Sequence, residues 1–318
     1  METSCDYLIG VDGGGTKTLV RVTDLDGAVL AEATGPGSAL RNGAPAAWNA
    51  ILSTLQSAFA HARAGTGIPM PPLSRMAAGI GVAGYNVAQW AAGFRAQAPA
   101  FGALEIASDA TTTLLGAHQG RPGAIIAVGT GTIGVALYPD GSEHVVDGWG
   151  FPSGDDASGA WMGLRAINHA QHVVDGRAPH GALSTATVAF CEADGTITNR
   201  VTNPVIHPGR SERDIVLDWL SQADQAAFAR LARLVIAHAA EDEAARTILI
   251  QAAAELELMA ATLDPDRQLP LALCGGLAGA LHDYFSPALR QRITPALADA
   301  ADGALLLARR ALSSSLTI

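Results

Sequence analysis

Two short turns rich in glycine and threonine are the parts of this 318-residue sequence best suited to chemistry. The first, Val11-Asp12-Gly13-Gly14-Gly15-Thr16-Lys17-Thr18, runs from an apolar, strand-like start into three adjacent glycines. Glycine loses more backbone freedom on folding than any other residue, so three in a row mark a place where bare backbone is needed. Successive exposed N–H groups form an anion-binding concavity, which makes a phosphate the first candidate. The spacing fits neither GxxxxGK[ST] nor GxGxxG, and both of those lead straight into a helix. Here residues 19–23 alternate, Asp26-Gly27 makes a turn and residues 28–33 read as a returning strand, so the glycines form a turn inside a β-meander. Lys17 is the only lysine in the chain, every other basic residue being Arg. Composition bias accounts for that scarcity but not for where the one lysine sits. The second turn, Gly129-Thr130-Gly131-Thr132, follows an apolar run at 124–128 and leads into a strand at 133–138, an Asp140-Gly141 turn and another returning strand. The order strand, Gly/Thr turn, strand, Asp-Gly hairpin, strand thus occurs twice, the mark of an internal duplication.

The elements that must hold these turns follow from hydrophobic spacing. Trp48, Ile51, Leu52, Leu55 and Phe59 predict an amphipathic helix over 45–64, and short buried strands are expected at 77–83 and 104–108. Asp109 opens a helix over 111–118, where an Asp is an ordinary N-cap. Strands alternating with helices after a meander indicate a mixed sheet with helices on its faces. Helices are expected at 158–171, 222–238, 241–263 and 301–312, with a short strand at 271–273 running into Cys274-Gly275-Gly276. Residues 175–213 are weakly patterned.

Composition sets limits. A chain of this length, 49% hydrophobic and 16% charged, buries a large core and is expected to form two domains. A net charge of −10 without a basic run speaks against nucleic-acid and anionic-membrane partners. Cys5, Cys191 and Cys274 are far apart and odd in number, which removes a disulfide framework and a CxxC metal site and fits a reducing cytoplasm. No basic region followed by an apolar core stands at the N-terminus. The uncharged stretch 76–94 is interrupted by Gly79, Gly81, Gly84, Asn86 and Gln89 and reads as strand, loop and helix start, not as a membrane span.

The stretches GVDGGGTKT, VGTGT, GWGFPSGDDASG and LCGGLAG, together with the strand ending at Asp109, resemble the sugar kinase, Hsp70 and actin superfamily. Within it they are most similar to the BadF/BadG/BcrA/BcrD-type group that includes N-acetylglucosamine kinase and bacterial glucosamine kinase. Residues 8–18, 106–134, 147–165 and 272–279 carry the resemblance. It implies an α/β fold of two duplicated actin-like (ribonuclease H-like) domains, each a mixed five-stranded sheet flanked by helices, with an interdomain cleft. The domains would be residues 1–117, completed by a C-terminal helix at 301–318, and residues 118–300. ATP would be held by Gly13, Gly14, Gly15, Thr16 and Lys17 in one phosphate loop, Thr130, Gly131 and Thr132 in the other, and Gly275 and Gly276 at the adenosine. Asp12 would hold Mg²⁺ mainly through water. Asp109 would be the catalytic base and touch the sugar, beside Gly148, Trp149, Gly150 and Asp155.

Plainer roles compete for several of these residues: a turn cap for Asp12, a solvated strand position for Lys17, core packing for Trp149 and a simple strand-to-helix turn for Gly275 and Gly276. The implied activity is ATP-dependent phosphorylation of the 6-hydroxyl of N-acetylglucosamine, with glucosamine or a broader set of hexosamines and glucose as the alternative, in a cytoplasmic homodimer. A related class, the ATPase activator of a radical dehydratase, needs cysteines to bridge an iron–sulfur cluster, and no Cys occurs between residues 6 and 190. A sugar-responsive regulator would need a DNA-binding element ahead of the first strand at Tyr7. This chain departs from the group's pattern in three places. Ala39 stands where its amino-sugar kinases often carry Asn, which implies looser sugar choice; Asp156-Ala157 replaces Glu-Gly; and the Cys-rich zinc motif of a related family is missing, so no structural zinc is expected.

Overall fold

A computed structural model of the chain describes residues 5–61, 69–194 and 210–315. It opens on the expected meander: β1 (Tyr7–Gly13), β2 (Lys17–Thr23) and β3 (Val29–Pro36), paired antiparallel in succession. The helix α1 (Ala44–His61) follows, with Trp48, Ile51, Leu55 and Phe59 buried at the i, i+3, i+4 spacing that predicts it; residues 62–64 of the expected helix lie outside the described residues. Then come β4 (Met76–Val82), α2 (Ala88–Ala96), β5 (Ala103–Ser108) and α3 (Asp109–His118). β4 pairs parallel with both β1 and β5, and the sheet order is β3-β2-β1-β4-β5. β4 is buried along its whole length, as a parallel strand covered on both faces must be.

One face of this sheet packs Ile9, Val11, Val20, Val22 and Ile80 against α1, where Trp48 stacks on Phe94 at a centroid distance of 4.1 Å. On the other, Leu8, Ala77 and Ala103 meet Leu305 and Ala308 of the C-terminal helix α11 (Ala300–Ser315). That helix can come close because Gly79 has no side chain; a Cβ there would overlap the Ala304 carbonyl.

The second meander is β6 (Gly123–Val128), β7 (Thr132–Leu137) and β8 (Glu143–Asp147). Helices α4 (Gly159–Val174), α5 (Ala182–Ala193), α6 (Glu212–Leu220), α7 (Gln225–His238) and α8 (Glu243–Leu263) come next, then β9 (Leu271–Cys274), α9 (Ala278–Leu281) and α10 (Pro287–Arg292). The sheet order is β8-β7-β6-β9. This corrects the expectation of two five-stranded sheets: among the described residues the second sheet has four strands. A single parallel bridge, Leu271↔Ile293, stands where a fifth strand would pair. Pro295, two residues on, has no N–H to give a ladder, which limits growth of a strand there.

α5 and the start of α6 occupy the ends of the weakly patterned stretch, whose residues 195–209 lie outside the described ones. The chain divides into two compact units. Unit 1 comprises Met1–Ile125, Val135–His144 and Thr294–Ile318, and unit 2 comprises Ile126–Gly134 and Val145–Ile293. Among the described residues, no helix is long and apolar enough to cross a membrane.

Candidate active site

In unit 1, Asp12 near the carboxyl end of β1 and Asp109 directly after β5 stand at the edge where open α/β sheets bind ligands. The ladder sets Gly13 beside Val82 and Val82 beside Ser108, so Asp12 and Asp109 lie at the same edge, two strand spacings (~10 Å) apart. Gly81, which has no side chain, is the residue opposite Asp12 on the strand between. Asp109 is half-buried, and the protein packed around its carboxyl raises its pKa to about 6. The Ala110 N–H, 3.0 Å from Oδ1, opposes that rise, and the negative charge of Asp12 adds to it.

The helix after β5 is capped by Ser108, whose Oγ accepts from the Thr111 N–H at 3.0 Å. The N-cap reading of Asp109 is therefore corrected: it is the first helical residue, and the cap is one position earlier. Asp12 also has a raised pKa, first from burial; Lys17 works against the rise and Asp299 adds to it.

The glycine turn closes with the Gly14 N–H donating to the Lys17 carbonyl at 3.0 Å, which puts Gly15 and Thr16 at its tip with no backbone acceptor for their N–H groups. Gly13, Gly14 and Gly15 all keep negative or extended φ, so a left-handed backbone is not what requires them. Close approach is. A Cβ on Gly13 would overlap the Ser38 hydroxyl, and a Cβ on Gly37 would overlap the Gly15 carbonyl. The Ser38 N–H donates to the Gly14 carbonyl at 3.1 Å, and the Thr18 hydroxyl donates to Ser38 Oγ at 2.9 Å. The next turn of chain is tied to β4 by the Leu40 N–H to the Ala83 carbonyl at 2.9 Å. Sequence reasoning missed Ser38, although Gly-Pro-Gly-Ser at the end of a strand is a signal for a backbone that must pass close to something. Ala39 is buried under this wrap, whereas Thr16 and Lys17 are exposed.

In unit 2, the turn between β6 and β7 is held by the Gly129 N–H to the Gly131 carbonyl at 2.9 Å. Its outer carbonyls accept from the start of α4: Gly159 N–H to Gly129 at 2.8 Å and Ala160 N–H to Thr130 at 3.3 Å. The amides left over at a helix start thus anchor the turn, and Ser158 caps the helix through the Trp161 N–H at 3.1 Å. Thr130 and Gly131 keep partial exposure, while Thr132 is buried and its hydroxyl has no hydrogen-bond partner. A Cβ on Gly131 would sit 2.6 Å from Asp155 Oδ2. Asp155 is itself buried: Oδ1 accepts from the Gly150 N–H at 3.2 Å and Oδ2 from Gln225 Nε2 at 2.7 Å, and burial raises its pKa against those bonds.

Trp149, between Gly148 and Gly150, both of positive φ, is 85% exposed, so the core-packing reading of this indole is excluded. Gly275 has φ +91°, and a Cβ there would overlap the Val128 carbonyl; the Leu277 N–H donates to the same carbonyl at 3.2 Å. Gly276 faces open space. Gly275 thus lies against the end of β6, directly before the Gly129–Thr132 turn. Sequence reasoning missed Asp147, the last residue of β8, which takes amides from both ends of the loop that follows.

The residues fit a magnesium ion carried by phosphates. Asp12 is a desolvated carboxylate beside unpaired turn amides, and Mg²⁺ retains several waters while binding one or two carboxylates. Among the described residues no group of three or more His, Cys, Asp and Glu could cage a metal alone.

The model of the BadF/BadG/BcrA/BcrD ATPase family matches residues 9–308. The glucosamine kinase GspK of Vibrio cholerae is 29% identical over 304 residues, 95% of this chain and 96% of that protein. An N-acetylmuramic acid/N-acetylglucosamine kinase of Clostridium acetobutylicum is 24% identical over 314 residues, 95% of this chain and 98% of that one. Among solved structures, a candidate N-acetylglucosamine kinase from Chromobacterium violaceum is 46% identical, with a TM-score of 0.86 over 96% of this chain and 99% of that chain. With its two Gly/Thr hairpins and two sheets matched from the first strand to the last helix, the chain belongs to the BadF/BadG/BcrA/BcrD ATPase family.

Proposed function

We propose that the protein is an ATP-dependent amino-sugar kinase that phosphorylates the 6-hydroxyl of N-acetylglucosamine, with glucosamine as the second reading because of the similarity to GspK. The observation that carries the proposal is Asp109: a carboxylate with its pKa raised to about 6, at the same sheet edge as the glycine turn. A base poised near neutral pH takes a proton efficiently from a hydroxyl as that oxygen attacks phosphorus. Asp109 would orient the 6-hydroxyl and accept its proton. The Gly15 and Thr16 amides, the Thr16 and Thr130 hydroxyls and Lys17 would bind phosphate oxygens, and Gly275 and Gly276 would let the nucleoside approach backbone. Asp12 would hold Mg²⁺ through water, and the ion supplies charge neutralisation on the phosphates when bound.

On the sugar side, Gly148 and Gly150 offer backbone and Trp149 an exposed aromatic face. Asp155 fits a sugar contact only if its buried oxygens exchange present partners. The catalytic half would be residues 1–117 with the C-terminal helix, the other half residues 118–300. The test is a panel of amino sugars and hexoses with Mg-ATP, following ADP and sugar phosphate together. Equal amounts of ADP and the 6-phosphate of N-acetylglucosamine or glucosamine support the proposal; ADP without phosphorylation of any sugar contradicts it.

A further inference from the structure

Asp147 ends β8 in a left-handed conformation, φ +60°. Its Oδ1 accepts from the Asp155 N–H at 3.0 Å and, at 3.5 Å, from the Trp149 N–H, while Oδ2 accepts from the Asp156 N–H at 2.7 Å. One carboxylate therefore gathers both ends of the loop that carries the exposed indole. The chain of contacts continues: Asp155, placed by Asp147, turns its own carboxylate to the Gly150 N–H, to Gln225 and to the backbone of Thr132, and lies against Gly131. Three residues of this segment that are not glycine, Asp147, Asp155 and Ala157, have positive φ. Such a backbone persists only where surrounding bonds over-determine it.

We propose that Asp147 is a positioning residue that fixes the Trp149 loop in register with the Gly129–Thr132 turn, acting through Asp155, so that sugar binding depends on a side chain that never touches sugar. This deepens the amino-sugar kinase reading and rests on it. Asp147 holds backbone amides only, so its loss loosens the loop without removing a ligand contact. Asp147→Asn keeps one acceptor oxygen but turns an N–H toward amide donors. Hydrogen bonds to a charged group are worth enough that the KM for N-acetylglucosamine should rise about 10–100-fold, with kcat and the KM for Mg-ATP within about threefold of wild type. A purely structural role would instead lower the melting temperature and affect both substrates together.

The companion measurement needs no variant. In hydrogen exchange on the wild-type protein without ligands, the Asp155 and Asp156 amides should be strongly protected, and rapid exchange there overturns the proposal. So does an Asp147→Asn enzyme with wild-type sugar KM, or one in which sugar and Mg-ATP constants rise in parallel. If the wild type phosphorylates no sugar, the kinase reading fails on that assay alone, while the exchange result still decides whether Asp147 clamps the loop.

Discussion

At the scale of single residues, Asp109 is where physical chemistry and proposed activity meet. Its pKa rises from the ordinary 3.8 to about 6 in the folded chain, first because of burial. Ionising it therefore costs stability: the favourable contribution of the neutral acid is complete below about pH 4 and lost as pH rises through about 6. Asp109→Asn removes that cost, so at pH 8 the variant should be about 1–3 kcal/mol more stable than wild type, the gap closing toward pH 4; urea unfolding at the two pH values measures it. A variant less stable at pH 8 would show that ionised Asp109 is held by favourable bonds. The same group predicts a rate profile. kcat/KM for the sugar should fall tenfold per pH unit below about 6, the acid limb of a base that must be ionised, and a profile flat down to pH 5 would exclude Asp109 from the proton transfer. Asp109 was visible in sequence as a residue ending a strand, but its neighbour Ser108 was not recognisable as the cap, because Ser and Asp at adjacent positions satisfy the same rule.

At the scale of elements, the meanders were legible because period-two alternation and glycine turns leave strong marks, and β4 and β5 because short apolar runs mark buried strands. α5 was not: its buried face is Leu183, Ser184, Thr187 and Cys191, too small and polar to raise a hydrophobic period. The missing fifth strand of the second sheet was also illegible, since duplication predicts a partner that the chain reduces to one bridge before Pro295. Among site residues, Asp12, the glycines and Trp149 stood out by motif. Ser38 and Asp147 did not, because each acts by holding backbone across a distance that sequence spacing does not encode. Helix α11 supplies a test of packing. Gly79→Val would drive a side chain into the backbone of α11 at Ala304 and Ala308 and should cost ~3 kcal/mol or more. Gly93→Ala in α2, where a Cβ meets nothing within 4 Å, should stabilise by ~0.5–1 kcal/mol. Denaturant midpoints of the pair decide it, and equal midpoints would mean that α11 does not rest on β4 as described.

At the scale of the whole molecule, each of the two units carries one Gly/Thr turn, the first closed by the Gly14 N–H to the Lys17 carbonyl and the second by the Gly129 N–H to the Gly131 carbonyl. The claim that joins all three scales is that Asp109 takes the proton of the attacking hydroxyl. It is tested most directly by steady-state kinetics of Asp109→Asn with Mg-ATP and the sugar that the wild type phosphorylates, alongside a thermal melt. An asparagine keeps the size of the residue and can still accept a hydrogen bond but cannot take the proton. The predicted result is a kcat lowered by about 10²–10⁴-fold with both KM values near wild type and a melt at or above the wild-type temperature. Wild-type turnover in this variant would contradict the account.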